Sequence, residues 1–243
     1  MPRTGRPIVR ALDCEMVGVG PDGKKSVLIR VSVVSRRGRV LFDCLTEPEE
    51  EVTDWRTKFT GVDADSFAAA RRGVAPTSSS VSDLPKLVLP TATAIAKANA
   101  LLDHVVVVGH DLRRDFKLLG RSISRQMLRD TAFYPFLAAG LDGKRFAGGL
   151  PSLRALAAGW LEDEELHKGA HSSVEDARAA MLIYRIVAKH WEPFALKKFG
   201  APFWTAFPRQ PSRPAVCGGP PRRRLRRLSL VRKRVRAADL KTA

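Results

Sequence analysis

The chain has 243 residues, of which 44% are hydrophobic, and its 42 Lys and Arg against 25 Asp and Glu give a formal net charge of +17. That much apolar sequence is enough for one core of about 150 to 200 residues, which excludes a fully disordered chain and a disulfide-stabilised miniprotein. No apolar run approaches the roughly 18 residues of a membrane-spanning helix, and the residues before Ile8 are too few and too polar for a signal peptide. We therefore expect a soluble, intracellular protein with no membrane partner.

The positive charge is concentrated near the C-terminus. Residues 209–243 contain twelve Lys and Arg and one acid, Asp239, so +11 (12 − 1) of the +17 lies there and +6 remains for residues 1–208. A field of this density favours a polyanion as partner, nucleic acid more than membrane phosphoinositides. The Pro, Gly and Arg content of the same region predicts a disordered basic tail.

Three strands open the chain. The first apolar run, 8–12, alternates with period 2, which places Asp13 and Glu15 on one face at its far end. Two further apolar runs, 26–34 and 39–45, are separated from it and from each other by short turn sequences that contain Gly. Strands joined by short turns predict an antiparallel meander.

A crossover unit follows in the middle of the chain. The Ala-rich segment 91–102 is helix-prone, and the valine run 105–108 fits a strand that is buried on both faces. Gly109 ends this strand, and apolar residues then recur at helical spacing over 111–119. The predicted fold class is therefore α/β: a mixed five-stranded sheet, in which three antiparallel strands lead into parallel crossovers, with helices on both faces.

Two more helices are predicted in the last third of the chain. One covers 152–161, and the other covers 172–191, where Ser172 and Glu175 have the spacing of a capping box. The predicted organisation is a flexible N-terminus over 1–7, a folded domain over 8–192, an aromatic and Pro-rich linker over 193–212, and the disordered basic tail over 213–243.

Asp13 and Glu15 are the first candidates for a functional role. They share one face of the first strand where the chain leaves apolar sequence, so their negative charges would repel unless a cation lay between them. Oxygen ligands of this kind select Mg²⁺ or Mn²⁺ rather than zinc. The alternative is a pair of surface acids at a strand end, since a lone Asp-x-Glu is common.

Two further acids, Asp111 and Asp115, follow the valine strand at a spacing of four. If both lie on the next helix, they can point over the carboxyl end of the sheet, where open α/β folds place their sites. Asp111 has an alternative role as the N-cap of that helix. The alternative is weaker for Asp115, which lies one turn further in, beside the apolar stripe.

His171 and Asp176 form the last candidate pair. The helix predicted to begin at Ser172 leaves His171 on the preceding loop and Asp176 in the first turns, so both can approach one point from different directions. Taken separately, His171 is an exposed loop residue and Asp176 an acid favoured by the helix dipole. Taken with the other acids, their order along the chain favours a shared site.

Six short motifs, in this order, resemble the DEDDh 3′→5′ exonucleases of the ribonuclease H-like fold. The resemblance runs from about Val9 to about Trp191, and its first motif is most similar to the branch that contains RNA exonuclease 4 and the interferon-stimulated exonuclease. The motifs are 12–18 (Leu-Asp-Cys-Glu-Met-Val-Gly), 52–57 (Val-Thr-Asp-Trp-Arg-Thr), 108–112 (Val-Gly-His-Asp-Leu), 129–131 (Arg-Asp-Thr), 151–154 (Pro-Ser-Leu-Arg) and 171–178 (His-Ser-Ser-Val-Glu-Asp-Ala-Arg).

The resemblance implies that four acids, Asp13, Glu15, Asp115 and Asp176, hold two divalent metal ions, Mg²⁺ or Mn²⁺, and that His171 is the general base. Two such ions can activate a water, position the scissile phosphate and stabilise the leaving 3′-oxygen. An imidazole accepts a proton near neutral pH. The implied products are nucleoside 5′-monophosphates, released one at a time.

The resemblance also implies residues that contact the substrate. Met16 and Val17 match those that line the pocket of the terminal nucleotide. Arg56 matches an arginine that contacts the terminal ribose, which would favour RNA through its 2′-hydroxyl. We expect His110 and Asp111 at the substrate side of the site as well, with Asp111 alternatively a cap or a supporting group.

The expected function is a metal-dependent 3′→5′ exoribonuclease that acts on RNA 3′ ends, pre-ribosomal RNA among them, in the nucleus and its nucleolus. Two alternatives stay open: the same fold with a preference for single-stranded DNA, and a catalytically idle RNA-binding scaffold for ribosome assembly. The intact set of acids argues against the scaffold. The basic tail is read as a nuclear or nucleolar address and as an arm that binds RNA without sequence preference.

Overall fold

The computed structural model describes residues 7–74, 84–85, 87–141, 149–164, 166 and 171–200. The predicted loop at 75–80, the part of the predicted linker after residue 200 and the whole basic tail lie outside the described residues. Among the helices that are described, none combines the length and the apolar character needed to cross a membrane.

Seven strands form one mixed sheet. Their bounds are β1 Val9–Val19, β2 Lys25–Ser35, β3 Val40–Glu47, β4 Val52–Asp54, β5 Val88–Pro90, β6 Val106–Gly109 and β7 Leu128–Asp130. The order across the sheet is β5-β3-β2-β1-β6-β7, with β4 paired to β1. β1, β2 and β3 are antiparallel neighbours, whereas β6 and β7 run parallel to β1. This confirms the predicted meander that leads into parallel crossovers.

The sheet has two strands more than the five predicted from the sequence. β4 and β5 each contain three residues, a length at which a period-2 pattern cannot be recognised. β4 pairs antiparallel with the end of β1, and β5 pairs parallel with β3 at the edge of the sheet.

Helices cover both faces of the sheet, as predicted. Their bounds are α1 Thr57–Thr60, α2 Ala64–Arg71, α3 Thr91–Leu102, α4 Arg113–Leu118, α5 Pro135–Ala139, α6 Leu153–Leu156 and α7 Ser173–Phe199; a 3₁₀ turn covers Thr131–Phe133 and a π-helical turn covers Ala157–Leu161. α5, α6 and α7 share one apolar core with β1 and β6. α3 and the beginning of α4 pack in a second core on the opposite face.

Two predicted boundaries and one predicted helix cap are wrong. β1 continues to Val19, so its acids lie within the strand rather than at its end, because pairing with β2 continues past them. The N-cap position of α7 is Ser172, but its side chain makes no capping hydrogen bond, so the predicted capping box is absent. The same helix runs through Pro193 to Phe199, which places 193–199 in the folded domain rather than in the predicted linker.

Candidate active site

An opening in the sheet lies beside the middle of β1. The parallel pairing with β6 ends at Ala11 opposite Val108, and β4 pairs with β1 only from Gly18 onward. Among the described strands, none therefore pairs with this side of β1 between those points. The opening is where side chains from α4 and α7 can reach the acids of β1.

Three carboxylates meet at this opening. Asp13 and Glu15 come from one face of β1, and Asp176 comes from the first turn of α7, which crosses that face. One oxygen from each of these carboxylates lies within 4.8 Å of the others. Burial raises the pKa of the Asp13 carboxyl well above its usual value, and the charges of Asp176, Asp115 and Glu15 raise it further. Such a cluster is costly without a cation.

Asp115 approaches from the other side of the opening. It lies in the first turn of α4, and its carboxyl group interacts with the thiol and the main chain of Cys14 of β1. Burial raises the pKa of Asp115 to about 6. Its Oδ1 is buried and accepts no hydrogen bond from the described residues. The structure thus places Asp115 where its charge acts on Asp13, but outside the group of three carboxylates within 4.8 Å.

His171 lies on the loop before α7, as predicted. Its Nδ1 is 3.7 Å from Oδ2 of Asp176, and its side chain is 29% exposed. The main-chain N–H of His171 donates to the carbonyl oxygen of Phe59 at 3.0 Å. The rings of His171 and Phe59 meet edge to face, with 5.9 Å between their centroids. The histidine is therefore held between α1 and α7 with part of its ring open to solvent.

A buried polar network supports the start of α7. The Arg30 guanidinium makes two hydrogen bonds to Asp43, at 3.0 and 2.9 Å, and Ser32 Oγ donates to the same carboxylate at 2.8 Å. Ser32 Oγ also lies 2.6 Å from Oγ of Ser173, the first residue of α7. The network thus ties the helix that carries Asp176 to β2. Sequence reasoning missed it, because the contact that joins the network to α7 is between Ser32 and Ser173, which are 141 residues apart in the chain.

The predicted nucleotide-pocket residues occupy different environments. Met16 is partly exposed beside the second core, whereas Val17 is 0% exposed in a cluster with Phe67. Neighbouring apolar side chains enclose the Val17 side chain, and the prediction that Met16 and Val17 line the nucleotide pocket stays a prediction. The Arg56 guanidinium makes hydrogen bonds within the protein. It donates to Ser26 Oγ and to the Gly23 carbonyl oxygen, each at 2.9 Å.

His110 and Asp111 lie on the short connection between β6 and α4. Asp111 has a positive φ of 53° and precedes the helix, whose N-cap position is Leu112, so the predictions that Asp111 lies on the helix and that it caps the helix are wrong. The cause is Asp130, whose carboxylate accepts the N–H groups of Asp111 and Leu112 at 2.8 and 3.0 Å. The predicted place of Asp111 at the substrate side stays a prediction. His110 Nδ1 lies 2.9 Å from Oγ1 of Thr131.

The carboxylates fit a divalent cation. The donors are all oxygens, three of them within 4.8 Å of one another, and a fourth acid contributes a buried oxygen without a hydrogen-bond partner among the described residues. Oxygen donors of this kind suit Mg²⁺ or Mn²⁺. A bound cation would also compensate the repulsion that raises the pKa of Asp13.

Comparisons with known proteins agree with this geometry. A family profile described as Exonuclease (RNase_T) matches residues 11–184. RNA exonuclease 4 of Neurospora crassa is 40% identical over 175 residues, which are 72% of this chain and 37% of that protein. RNA exonuclease 4 of Kluyveromyces lactis is 37% identical over 191 residues, which are 78% of this chain and 57% of that protein. The chain thus spans less than two thirds of the length of these relatives.

Two solved structures have a similar fold. The Pan2 catalytic unit of Neurospora crassa, which contains a protease and a nuclease domain, gives a TM-score of 0.58 at 21% identity, over 81% of this chain and 30% of that one. The Saccharomyces cerevisiae Pan2 pseudoubiquitin hydrolase–RNA exonuclease module in complex with AAUUAA RNA gives a TM-score of 0.55 at 25% identity, over 76% of this chain and 29% of that one.

Proposed function

Because the chain belongs to the exonuclease family, we propose that it is a metal-dependent 3′→5′ exoribonuclease that releases nucleoside 5′-monophosphates. Its architecture is the ribonuclease H-like fold of that family. The observation that carries the proposal is the meeting of Asp13, Glu15 and Asp176 at one opening of the sheet, with Asp115 and His171 at its edges. RNA as the substrate is supported by the names of the relatives and by the RNA in one of the similar structures.

The chain's own residues have distinct tasks in this reaction. Asp13, Glu15 and Asp176, with Asp115 beside them, would hold the divalent cations, which supply charge stabilisation for the scissile phosphate and lower the pKa of water when bound. His171 is the general base. Its Nδ1 side faces Asp176 at 3.7 Å, so Nε2, across the ring, accepts the proton of the attacking water. The oxygen of the attacking water bonds to phosphorus, and the bond between phosphorus and the 3′-oxygen of the nucleotide on the 5′ side breaks.

The decisive experiment is a time course of 5′-labelled single-stranded RNA with Mg²⁺, Mn²⁺ or EDTA. The wild-type protein should give a metal-dependent ladder that shortens from the 3′ end. Asp13→Asn should abolish the ladder, because it removes a charge from the cluster, while Asp65→Asn, a change at an exposed acid of α2, should not. Digestion by Asp13→Asn at the wild-type rate would contradict the proposal. A matching DNA substrate separates an RNA preference from a DNA preference.

We further propose a role in processing pre-ribosomal RNA in the nucleus, with the nucleolus as the principal site. The support is the net charge of +11 in residues 209–243, which suits both a nuclear address and general RNA affinity. Residues 209–243 fused to a fluorescent reporter should concentrate it in nuclei, and a fusion with the twelve Lys and Arg changed to Gln should not. A diffuse signal from the unchanged fusion would remove this part of the proposal.

A further inference from the structure

A surface pocket of about 370 Å³ lies at the β7 edge of the sheet. It is bounded by the start of α4, by the 3₁₀ turn that follows β7, and by the last turns of α7. Three cationic side chains line it, from Arg113, Arg125 and Lys198. None of the residues that line it belongs to the proposed catalytic set, so the proposed chemistry does not account for it.

Aromatic rings lie next to two of these cationic side chains. Phe133 is 44% exposed, and the Arg113 guanidinium carbon lies 4.8 Å from the centre of its ring. On the α7 side, Lys198 Nζ lies 5.2 Å from the ring centre of Phe194 and 5.6 Å from that of Phe199. A pocket of interleaved cations and partly open aromatic faces offers base stacking and phosphate contacts together.

The pocket rests on a rigid base. The rings of Tyr134 and Trp191 stack with 4.2 Å between centroids and 14° between planes. Behind them, Arg129 of β7 makes two hydrogen bonds to Glu192 of α7, at 2.9 and 2.8 Å, and its side chain is almost fully buried. The end of α7 is thus fixed to the edge strand. A binding surface that is already ordered loses little entropy when it binds.

The charge of the pocket favours an anion. Asp130 is the one acid that lines it, and that carboxylate is buried and occupied by the main-chain N–H groups of Asp111, Leu112 and Ala132. Arg113 pairs at 2.8 Å with Asp111, which lies outside the lining, so the excess positive charge of the pocket lies on Arg125 and Lys198. An acidic ligand with flat aromatic groups therefore fits this surface better than a neutral or basic one.

We propose that this pocket is a second RNA-binding site, which takes bases and phosphates of the strand upstream of the 3′ end. The proposal rests on the exoribonuclease function proposed above. One side of the pocket, at Arg113, is two residues from Asp115 in the sequence, so the pocket begins near the catalytic opening. Its other side, at Lys198, is about 33 Å along α7 from Asp176, at about 1.5 Å per residue.

These dimensions predict a dependence on RNA length. A strand of about ten stacked nucleotides, at about 3.4 Å each, covers that distance, whereas a trinucleotide spans about 10 Å and does not reach Lys198. Base stacking on aromatic side chains tolerates any sequence, so we expect the site to favour long RNA over short RNA rather than one sequence over another.

The test compares two double variants of the full-length chain. Phe133→Ala with Lys198→Gln removes one ring and one charge from the pocket. The matched control, Leu182→Ala with Lys189→Gln, changes an exposed apolar residue and an exposed lysine on the same long helix. The pocket variant should lower kcat/KM on a 20-nucleotide RNA by tenfold or more and leave a trinucleotide substrate unchanged. The control should change neither.

Several results would overturn the proposal. One is an unchanged kcat/KM of the pocket variant on the 20-nucleotide RNA. Another is an equal loss of kcat/KM on both substrates, because an equal loss would mean that the variant disturbs the catalytic opening. Affinity for the same RNA in EDTA, measured by fluorescence anisotropy, separates this proposal from the exoribonuclease proposal: a tenfold weaker binding by the pocket variant supports the site even if no RNA is digested.

Discussion

The main-chain N–H of His171 donates a 3.0 Å hydrogen bond to the carbonyl oxygen of Phe59, and the rings of the two residues meet edge to face at 5.9 Å. Phe59 belongs to the four-residue helix α1, and its side chain is 57% exposed. Because this exposed phenylalanine contacts the proposed general base, we expect it to orient that base. The position of the imidazole thus depends on a segment more than 100 residues away in the sequence.

Phe59→Ala should lower kcat by about tenfold with little change in KM, because the imidazole loses the ring that restricts its orientation while the main-chain hydrogen bond stays. Phe59→Tyr keeps the edge-to-face contact and should retain most of the activity. The measurement is initial-rate kinetics as a function of pH on a labelled oligoribonucleotide. An equal loss with Phe59→Tyr and Phe59→Ala would show that this contact does not position His171.

Asp115 and Asp111 should respond very differently to the same substitution. Asp115→Asn removes a charge from the edge of the carboxylate cluster and should reduce the exonuclease rate by 100-fold or more, on the order of the effect of losing a residue that acts directly in the chemistry. Asp111→Asn should be nearly neutral, because asparagine tolerates a positive φ and Asp111 pairs with the exposed Arg113. If only Asp111→Asn abolished activity, the assignment of Asp115 would be wrong.

The stability of the metal-free protein should decrease as the pH rises. Burial raises the pKa of Asp115 to about 6 from its ordinary value of 3.8, so the folded chain holds this proton more tightly than the unfolded chain does. The contribution to stability is therefore complete below about pH 4 and is lost as the pH rises through about 6. In EDTA, the Tm of the wild-type protein should fall over this range, and the fall should be smaller for Asp115→Asn.

Addition of Mg²⁺ should reverse most of that fall, since a ligand that binds only the folded state stabilises it. Asp65→Asn is the matched control, because it removes an exposed carboxylate from α2 and should keep the wild-type pH dependence. Identical pH profiles for Asp115→Asn and the wild type would mean that Asp115 does not carry the raised pKa.

The pair Arg30–Asp43 should be important for folding. Asp43→Asn leaves the buried Arg30 guanidinium without its compensating charge, and the loss of one partner of a buried pair costs about 3 to 5 kcal/mol in the free energy of unfolding. Urea unfolding measures this cost. Asp103→Asn, which breaks a more exposed pair with Arg121, should cost less than about 1 kcal/mol. Similar losses in the free energy of unfolding for both variants would contradict the importance of the Arg30–Asp43 pair for folding.

Arg56 provides a test of sugar preference. Under the RNA interpretation, Arg56→Ala should reduce the ratio of the RNA rate to the DNA rate, because it removes a donor for the 2′-hydroxyl. In the structure, however, the guanidinium donates to Ser26 and to Gly23. An unchanged ratio, together with a lower Tm, would indicate that Arg56 serves the turn between β1 and β2 instead.

The sequence predicts the parts of this site that depend on local periodicity. The alternation of β1 puts Asp13 and Glu15 on one face, and the predicted start of the last helix separates His171 from Asp176 correctly. The predicted placement of Asp111 is wrong because Asp130, 19 residues further along the chain, holds its main chain in a left-handed conformation. Such a contact is tertiary, and no local pattern reveals it.

The predicted end of α7 is wrong for a related reason. A proline inside a helix removes one main-chain hydrogen bond and usually ends the helix, so Pro193 favours an end at Trp191. In the folded chain, the preceding residue, Glu192, is held by Arg129 of β7. This tertiary pair and the packing of Phe194 and Phe199 against the main core offset the lost hydrogen bond.

The opening beside β1 also affects how separate molecules of this protein meet. A strand that lacks a neighbour on one side is a template on which another chain can pair and begin to aggregate. Here the Asp115 carboxylate interacts with the main chain of Cys14 beside the opening, and the clustered negative charges repel an incoming backbone carbonyl group. The same acids that are suited to binding cations therefore protect the middle of the sheet from edge-to-edge self-association.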